Sequence, residues 1–194
     1  YKHLNGGPGS PAFLFLHERH FDREPGLAGW FGYVKNRQFD MALGFEHARS
    51  AGGWQLGTPS VLSGATLEAA LQVQEEASIE RIREKSLRLT DFLIELVDGF
   101  LSAEPYGYSI ATPRGHERRG GHLAIEHPSE AWRICCALKS RGIIPDFRPA
   151  RVIRVAPVAL YNTFAEVWEV ANALKEIIDN REYERFPKER SAVS

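Results

Sequence analysis

The chain has 194 residues, 43% apolar and 25% charged, which is the composition of an ordinary globular protein long enough for one good core or two small lobes. A formal charge of −1 supplies no broad basic field of the kind that draws in nucleic acid. No apolar run approaches the roughly 18 residues needed to cross a bilayer, and no charged-then-apolar leader opens the chain, so a cytosolic protein without nucleic-acid or membrane partners is expected.

Tyr1 is no initiator, and residues Tyr1 to Phe15 read as the middle of a fold, so the chain is expected to be a piece of a longer one. Asn5-Gly6-Gly7-Pro8-Gly9-Ser10-Pro11 is a dense set of turn formers running into Ala12-Phe13-Leu14-Phe15-Leu16, an apolar run suited to a buried strand. Gly29-Trp30-Phe31-Gly32 and Gly52-Gly53-Trp54 then set aromatic residues among glycines, which combine flat surface with close backbone approach. Up to about Thr58 the chain is loop-rich.

From about Ser63, whose hydroxyl can accept free first-turn amides, the pattern becomes helical. Leu89, Phe92, Leu93, Leu96, Val97 and Phe100 recur at steps of three and four, one apolar stripe. The span to Phe100 predicts one kinked helix or two in series. Beyond it, Tyr106 to Ala111, His122 to Glu126 and Arg151 to Ala156 read as strands, and Ser129 to Ser140 and Phe164 to Ile178 as helices. Thr163 with Glu166 three residues on is a capping box opening the last helix. This order predicts a small α/β lobe with a sheet covered by helices. Residues after about Tyr183 read as a polar tail, and Arg114 to Arg119 as a solvated basic loop.

Cys135 and Cys136 are adjacent on a predicted helix and point in different directions, which suits small buried thiols in a reducing compartment rather than a disulfide or a metal site. His17-Glu18-Arg19-His20 lacks the i, i+4 spacing of a helical zinc pair, and Glu46-His47 has no third partner, so no metal is assigned. Arg154 carries the chemical interest. It sits in an apolar strand with Val152 and Ala156 on its own face, where burying a guanidinium is costly unless a carboxylate pairs with it. Its planar fork fits a carboxylate in two-point fashion, whether that of a ligand or of a structural partner within the lobe.

Three stretches resemble one family. Tyr1-Lys2-His3-Leu4-Asn5-Gly6-Gly7-Pro8-Gly9-Ser10-Pro11 is similar to the Schiff-base lysine segment of kynureninases, in which tyrosine directly precedes the lysine. Gly29-Trp30-Phe31-Gly32 is similar to the family's GWFG element. Val152-Ile153-Arg154-Val155-Ala156-Pro157-Val158-Ala159-Leu160-Tyr161-Asn162 is similar to its IRVAPVPLYN signature. In order and spacing the resemblance covers nearly the whole chain.

The resemblance implies the C-terminal part of an α/β pyridoxal-phosphate (PLP) enzyme of the aminotransferase fold type I. Residues 1–62 would end the large PLP-binding domain, 63–101 would be a connecting helix, 102–184 a small α/β domain and 185–194 the tail. It implies hydrolysis of L-kynurenine or its 3-hydroxy form to an anthranilate and L-alanine, in tryptophan catabolism and NAD biosynthesis, by a homodimer with shared active sites. Lys2 would bind the cofactor and move the α-proton, and Tyr1 would contact the phosphate and donate a proton to the β-carbon. Trp30 and Thr58 would reach the PLP phosphate from the neighbouring subunit, and Arg154 would grip the substrate α-carboxylate. The rest of the cofactor site lies upstream in this family. A cysteine desulfurase or class V aminotransferase is the alternative, disfavoured because desulfurases carry histidine before the lysine and a mobile catalytic cysteine. A non-catalytic dimerisation domain is disfavoured by the intact Lys2 and Arg154.

Overall fold

A computed structural model describes residues 1–189 and divides the chain into two compact units, residues 1–76 and 77–194. The expected tail therefore lies partly outside the described residues, from residue 190 on.

The first unit is coil and short 3-10 turns until helix α1, Val61–Ala77. The run Ala12 to Leu16, expected as a buried strand, pairs with nothing among the described residues, and Phe13 and Phe15 are 73% and 85% exposed. An apolar run forms a strand only where a neighbouring backbone takes its N–H and C=O groups. Helix α1 begins two residues before Ser63. Ser60 caps it instead, its hydroxyl accepting from the Ser63 amide at 3.4 Å and its carbonyl from the Gly64 amide at 3.0 Å. The helix ends ahead of Ser78, whose φ of 60° interrupts the helical run, and the Ser78 hydroxyl accepts from the Arg81 amide to start α2, Ile79–Phe100. The helical span is thus two helices in series, the first grouping with the N-terminal unit.

The second unit is built on α2. Leu89, Leu93, Leu96 and Val97 of the predicted stripe are buried, and Phe92 and Phe100 pack partly buried beside them. Four short strands follow: β1 (Ser109–Ile110), β2 (Leu123–Glu126), β3 (Asp146–Arg148) and β4 (Val152–Val155). They form one antiparallel sheet in the order β1-β2-β4-β3, with helices α3 (Ala131–Ser140) and α4 (Phe164–Asp179) joining the core. Alternation along β2 and β4 sends Leu123, Ile125, Ile153 and Val155 into that core, with Ile134 and Leu138 of α3 and Ala171, Leu174 and Ile177 of α4. Each such leucine, isoleucine or valine taken from water contributes about 1.5–3 kcal/mol. The other face of β2 and β4, which carries Ala124, Glu126, Val152 and Arg154, is only half-buried, so the helices cover one side of the sheet rather than both.

Helix α4 opens with the expected box. The Thr163 hydroxyl accepts from the Glu166 amide at 3.2 Å, and the Glu166 carboxylate accepts from the Thr163 amide at 2.7 Å. Tyr108 is buried and its phenol donates to the Leu174 carbonyl at 3.1 Å, tying the start of β1 to α4.

Two segments expected to be solvated are mostly exposed, but each sends one residue inward. Arg119 has a side chain only 1% exposed, and its guanidinium reaches Asp91, the Arg114 carbonyl and, at 3.3 Å, the Thr90 hydroxyl. Arg83 donates to the carbonyls of His116 and Arg119 at 2.5 and 3.0 Å, so the basic loop is clasped to α2 at both ends. Beyond Tyr183, Phe186 packs against the core and its carbonyl accepts from Arg133 Nε at 2.8 Å.

Candidate functional site

Lys2 and Tyr1 stand at one end of the first unit. The Lys2 carbonyl accepts from the Asn5 amide at 3.3 Å, and the left-handed Asn5 (φ 56°) turns the chain there. Lys2 Nζ lies 5.3 Å from the centroid of the Tyr1 ring, within cation–π range, and both side chains are exposed. They line an open cleft of about 370 Å³ with His3, Leu4, Pro11 and Phe13. The lysine has no ion pair among the described residues, so its amine is uncommitted.

Trp30 and Thr58 belong to two segments held against each other by backbone. The Phe31 amide donates to the Leu56 carbonyl at 3.3 Å, the Ala48 amide to the Gly32 carbonyl at 2.8 Å, and Tyr33 bridges His47. Glycine makes this possible. A Cβ on Gly29 would sit 2.3 Å from the Leu56 carbonyl oxygen, and one on Gly53 only 2.1 Å from that of Ala48. The glycines of GWFG thus serve backbone contact, and Trp30 is turned outward, about half exposed, its ring edge-on to Phe39 at 5.3 Å. Neither the Trp30 indole N–H nor the Thr58 hydroxyl hydrogen-bonds another described residue, and Thr58 is exposed. The two histidine-bearing stretches are engaged structurally. His17 Nδ1 accepts from the Arg19 amide at 3.2 Å, His47 Nε2 lies 3.2 Å from the Phe21 carbonyl, and Glu46 pairs with Arg37.

Arg154 belongs to the second unit, in β4, on the open face of the sheet. It is less buried than its apolar neighbours suggest, its side chain 35% exposed, because Ile153 and Val155 alone face the helices. It already has a carboxylate partner in Asp146, which stands directly opposite it in register on β3 and which sequence reasoning did not single out. Arg148 binds the same Asp146 oxygen at 2.7 Å. On the other flank the cross-strand partner of Arg154 is Ala124, a side chain too small to crowd the fork. After β4 the rest of the motif forms a tight loop: Asn162 Oδ1 accepts from the Val158 amide and the Asn162 amide donates to the Val158 carbonyl, both at 2.8 Å. That loop leads directly into the Thr163 cap.

Cys135 is buried in α3 and burial pushes its thiol up to about 11; Cys136 is half-buried and raised for the same reason. Neither has the low-pKa exposed setting of a nucleophile. Among the described residues no cluster of three or more His, Cys, Asp or Glu could hold a metal ion, and no helix is long and apolar enough to cross a membrane.

The fold is similar to that of part of solved enzymes of the PLP-dependent fold type I. A cysteine desulfurase from Thermococcus onnurineus NA1 superposes with a TM-score of 0.72 at 19% identity, covering 86% of this chain and 42% of that one. A lysine-to-alanine mutant of C-DES, with glycine covalently linked to its PLP cofactor, gives 0.59 at 17% identity, covering 77% of this chain and 37% of that one. The sequence is similar to that of the kynureninases. Residues 82–174 match the family model of the kynureninase C-terminal domain. The kynureninase of Shouchella clausii (strain KSM-K16) is 53% identical over all 194 residues, which span 44% of its length. The likeness therefore runs from Tyr1 to Ser194 and is to the C-terminal part of the kynureninases, and the chain spans less than half the length of the curated relatives it matches.

Proposed function

We propose that this chain works as the C-terminal part of a PLP-dependent kynureninase, which hydrolyses L-kynurenine or its 3-hydroxy form to an anthranilate and L-alanine. The observation that carries the reading is the likeness of the whole chain to part of the kynureninases, with Tyr1-Lys2 at its start and Arg154 on an open sheet face. The residues present suit the cofactor. An uncommitted primary amine opens on a cleft, and the Trp30 indole and Thr58 hydroxyl are donors suited to a phosphate dianion. When bound, PLP supplies an aldehyde that condenses with amines and a ring that stabilises negative charge on the substrate carbon.

The chain's own residues do the rest. Lys2 Nζ holds the cofactor and moves the substrate α-proton. The Tyr1 hydroxyl contacts the phosphate and delivers a proton to the β-carbon after carbon–carbon cleavage. Trp30 and Thr58 donate to the phosphate across the interface of a homodimer, and Arg154 holds the α-carboxylate so that the γ-carbonyl is presented in one orientation. The domain arrangement that goes with this is a large cofactor domain ending near Leu62 and a small domain from residue 102. The enzyme acts in the cytoplasm, in tryptophan breakdown toward NAD. The desulfurase reading, suggested by the fold alone, finds no reactive cysteine among the described residues, since both thiols are raised and lie within α3.

Replacing Lys2 by alanine in the complete protein tests the proposal. Kynurenine hydrolysis and the cofactor's lysine-linked absorption band should both disappear. Retention of either would refute the assignment of Lys2, and turnover of cysteine in place of kynurenine would support the desulfurase.

A further inference from the structure

We propose that Asp146 is a positioning residue for Arg154, fixing the guanidinium edge-on across the β3–β4 ladder so that the remainder of its fork faces the carboxylate of an amino-acid ligand. The inference deepens the reading of Arg154 given above and rests on it.

The backbone register sets the pair. Asp146 and Arg154 are Cα partners on adjacent antiparallel strands, so their side chains leave the same face of the sheet side by side. One terminal nitrogen of Arg154 is bound to Asp146 Oδ2, and its side chain makes no other hydrogen bond among the described residues. A guanidinium has five N–H donors in a rigid fork, so most of its capacity remains. A flexible arginine would lose rotamer freedom on gripping a ligand; one already pinned at a single nitrogen has less to lose. Ala124, opposite Arg154 on β2, leaves that flank open.

Charge counts the same way. Asp146 Oδ2 is shared with Arg148, which lies 2.7 Å away, so one carboxylate serves two guanidiniums. The trio keeps one net positive charge, and on this face a monoanion is the ligand that completes it. Glu126, the other acid of the face, lies 3.3 Å from Arg151 and is not part of the trio. The ligand class is therefore a small molecule with a single carboxylate presented to the sheet. A dicarboxylate would be poorly neutralised.

The complete holoenzyme serves for the test, with Asp146→Asn, Asp146→Glu and Arg154→Ala compared by KM and kcat, and by binding of an amino-acid inhibitor and its carboxamide. Asp146→Asn should raise KM and weaken the acid inhibitor on the order of 10-fold, the weight of one charge-assisted hydrogen bond. Its kcat should change little, and carboxamide binding should stay level. Asp146→Glu, which keeps the charge, should recover most of the affinity. Equal weakening of acid and amide, or an unchanged KM in Asp146→Asn, would overturn the proposal. Arg154→Ala separates the two levels. If it leaves acid binding intact, the substrate role of Arg154 falls and this inference with it; if it abolishes acid binding while Asp146→Asn leaves it unchanged, only the role of Asp146 falls.

Discussion

Gly29→Ala perturbs the candidate phosphate-binding turn through sterics alone. Gly29 has φ −146° and ψ 151°, extended backbone open to any residue, so an added methyl costs nothing in conformation. The cost comes from what the methyl meets: the Leu56 carbonyl oxygen at 2.3 Å, its Cα at 2.4 Å and its carbonyl carbon at 2.7 Å. All three are backbone, so no side chain can swing aside. Ordinary contact begins near 3.4 Å, and the two segments must part by about 1 Å to reach it. That breaks the Phe31 amide to Leu56 carbonyl bond, already 3.3 Å long, and moves Trp30 away from the segment that carries Thr58. Overpacking of this kind costs about 1–3 kcal/mol. If that strain falls on the cofactor-bound geometry, PLP affinity drops roughly 5- to 150-fold. Gly26→Ala is the control, since nothing lies within 4 Å of a Cβ there. PLP titration and thermal unfolding of both variants of the complete protein check the prediction. A Gly29→Ala protein that matches Gly26→Ala in both measurements would refute the close-approach argument.

Arg119→Ala should destabilise the second unit by about 2–4 kcal/mol in denaturant unfolding, because it strips partners from the half-exposed Asp91 and from the Arg114 carbonyl. Arg114→Ala, which removes a pair exposed on both sides, should cost no more than about 1 kcal/mol. His127 is buried, which lowers its pKa, against the opposing pull of Glu130 and the Tyr106 backbone; its Nδ1 accepts from the Glu130 amide at 3.0 Å. The unfolded chain therefore binds the proton first, so the stability this ring provides is complete above pH 6.5 and is lost as pH falls through the lower folded value. Unfolding followed at a series of pH values should show that decline, and His127→Gln should reduce it. Thr163→Ala removes the cap of α4 and should cost about 1 kcal/mol, while Thr163→Ser should restore most of it; equal melting of both would contradict the capping box.

Where local pattern and tertiary setting agree, the sequence was readable. The α2 stripe, the β2 and β4 alternation and the Thr163–Glu166 box need only neighbours along the chain, and each stands where periodicity puts it. Strand β3 was missed because three residues with charged ends have no periodicity of their own and extend only by pairing with β4. Arg119 reads as one charge among several until Asp91, 28 positions earlier, is brought beside it. Ala12 to Leu16 fails the other way, its apolar run naming a preference but not a partner. At the candidate site, Tyr1, Lys2, Trp30, Thr58 and Arg154 were singled out through their resemblance to family motifs. The Asp146 side chain against Arg154 was not, because it depends on register. The role of Gly29 beside Leu56 depends on a contact between segments well apart in the chain.

Reductive trapping gives the most direct measurement. The complete protein is loaded with PLP, treated with borohydride and digested, and the pyridoxyl-bearing peptide is located by mass. The label should fall on Lys2 alone, and Lys2→Ala should carry none. A label on Lys35, Lys85 or any other lysine of the native protein, or none at all, would contradict the proposed cofactor site.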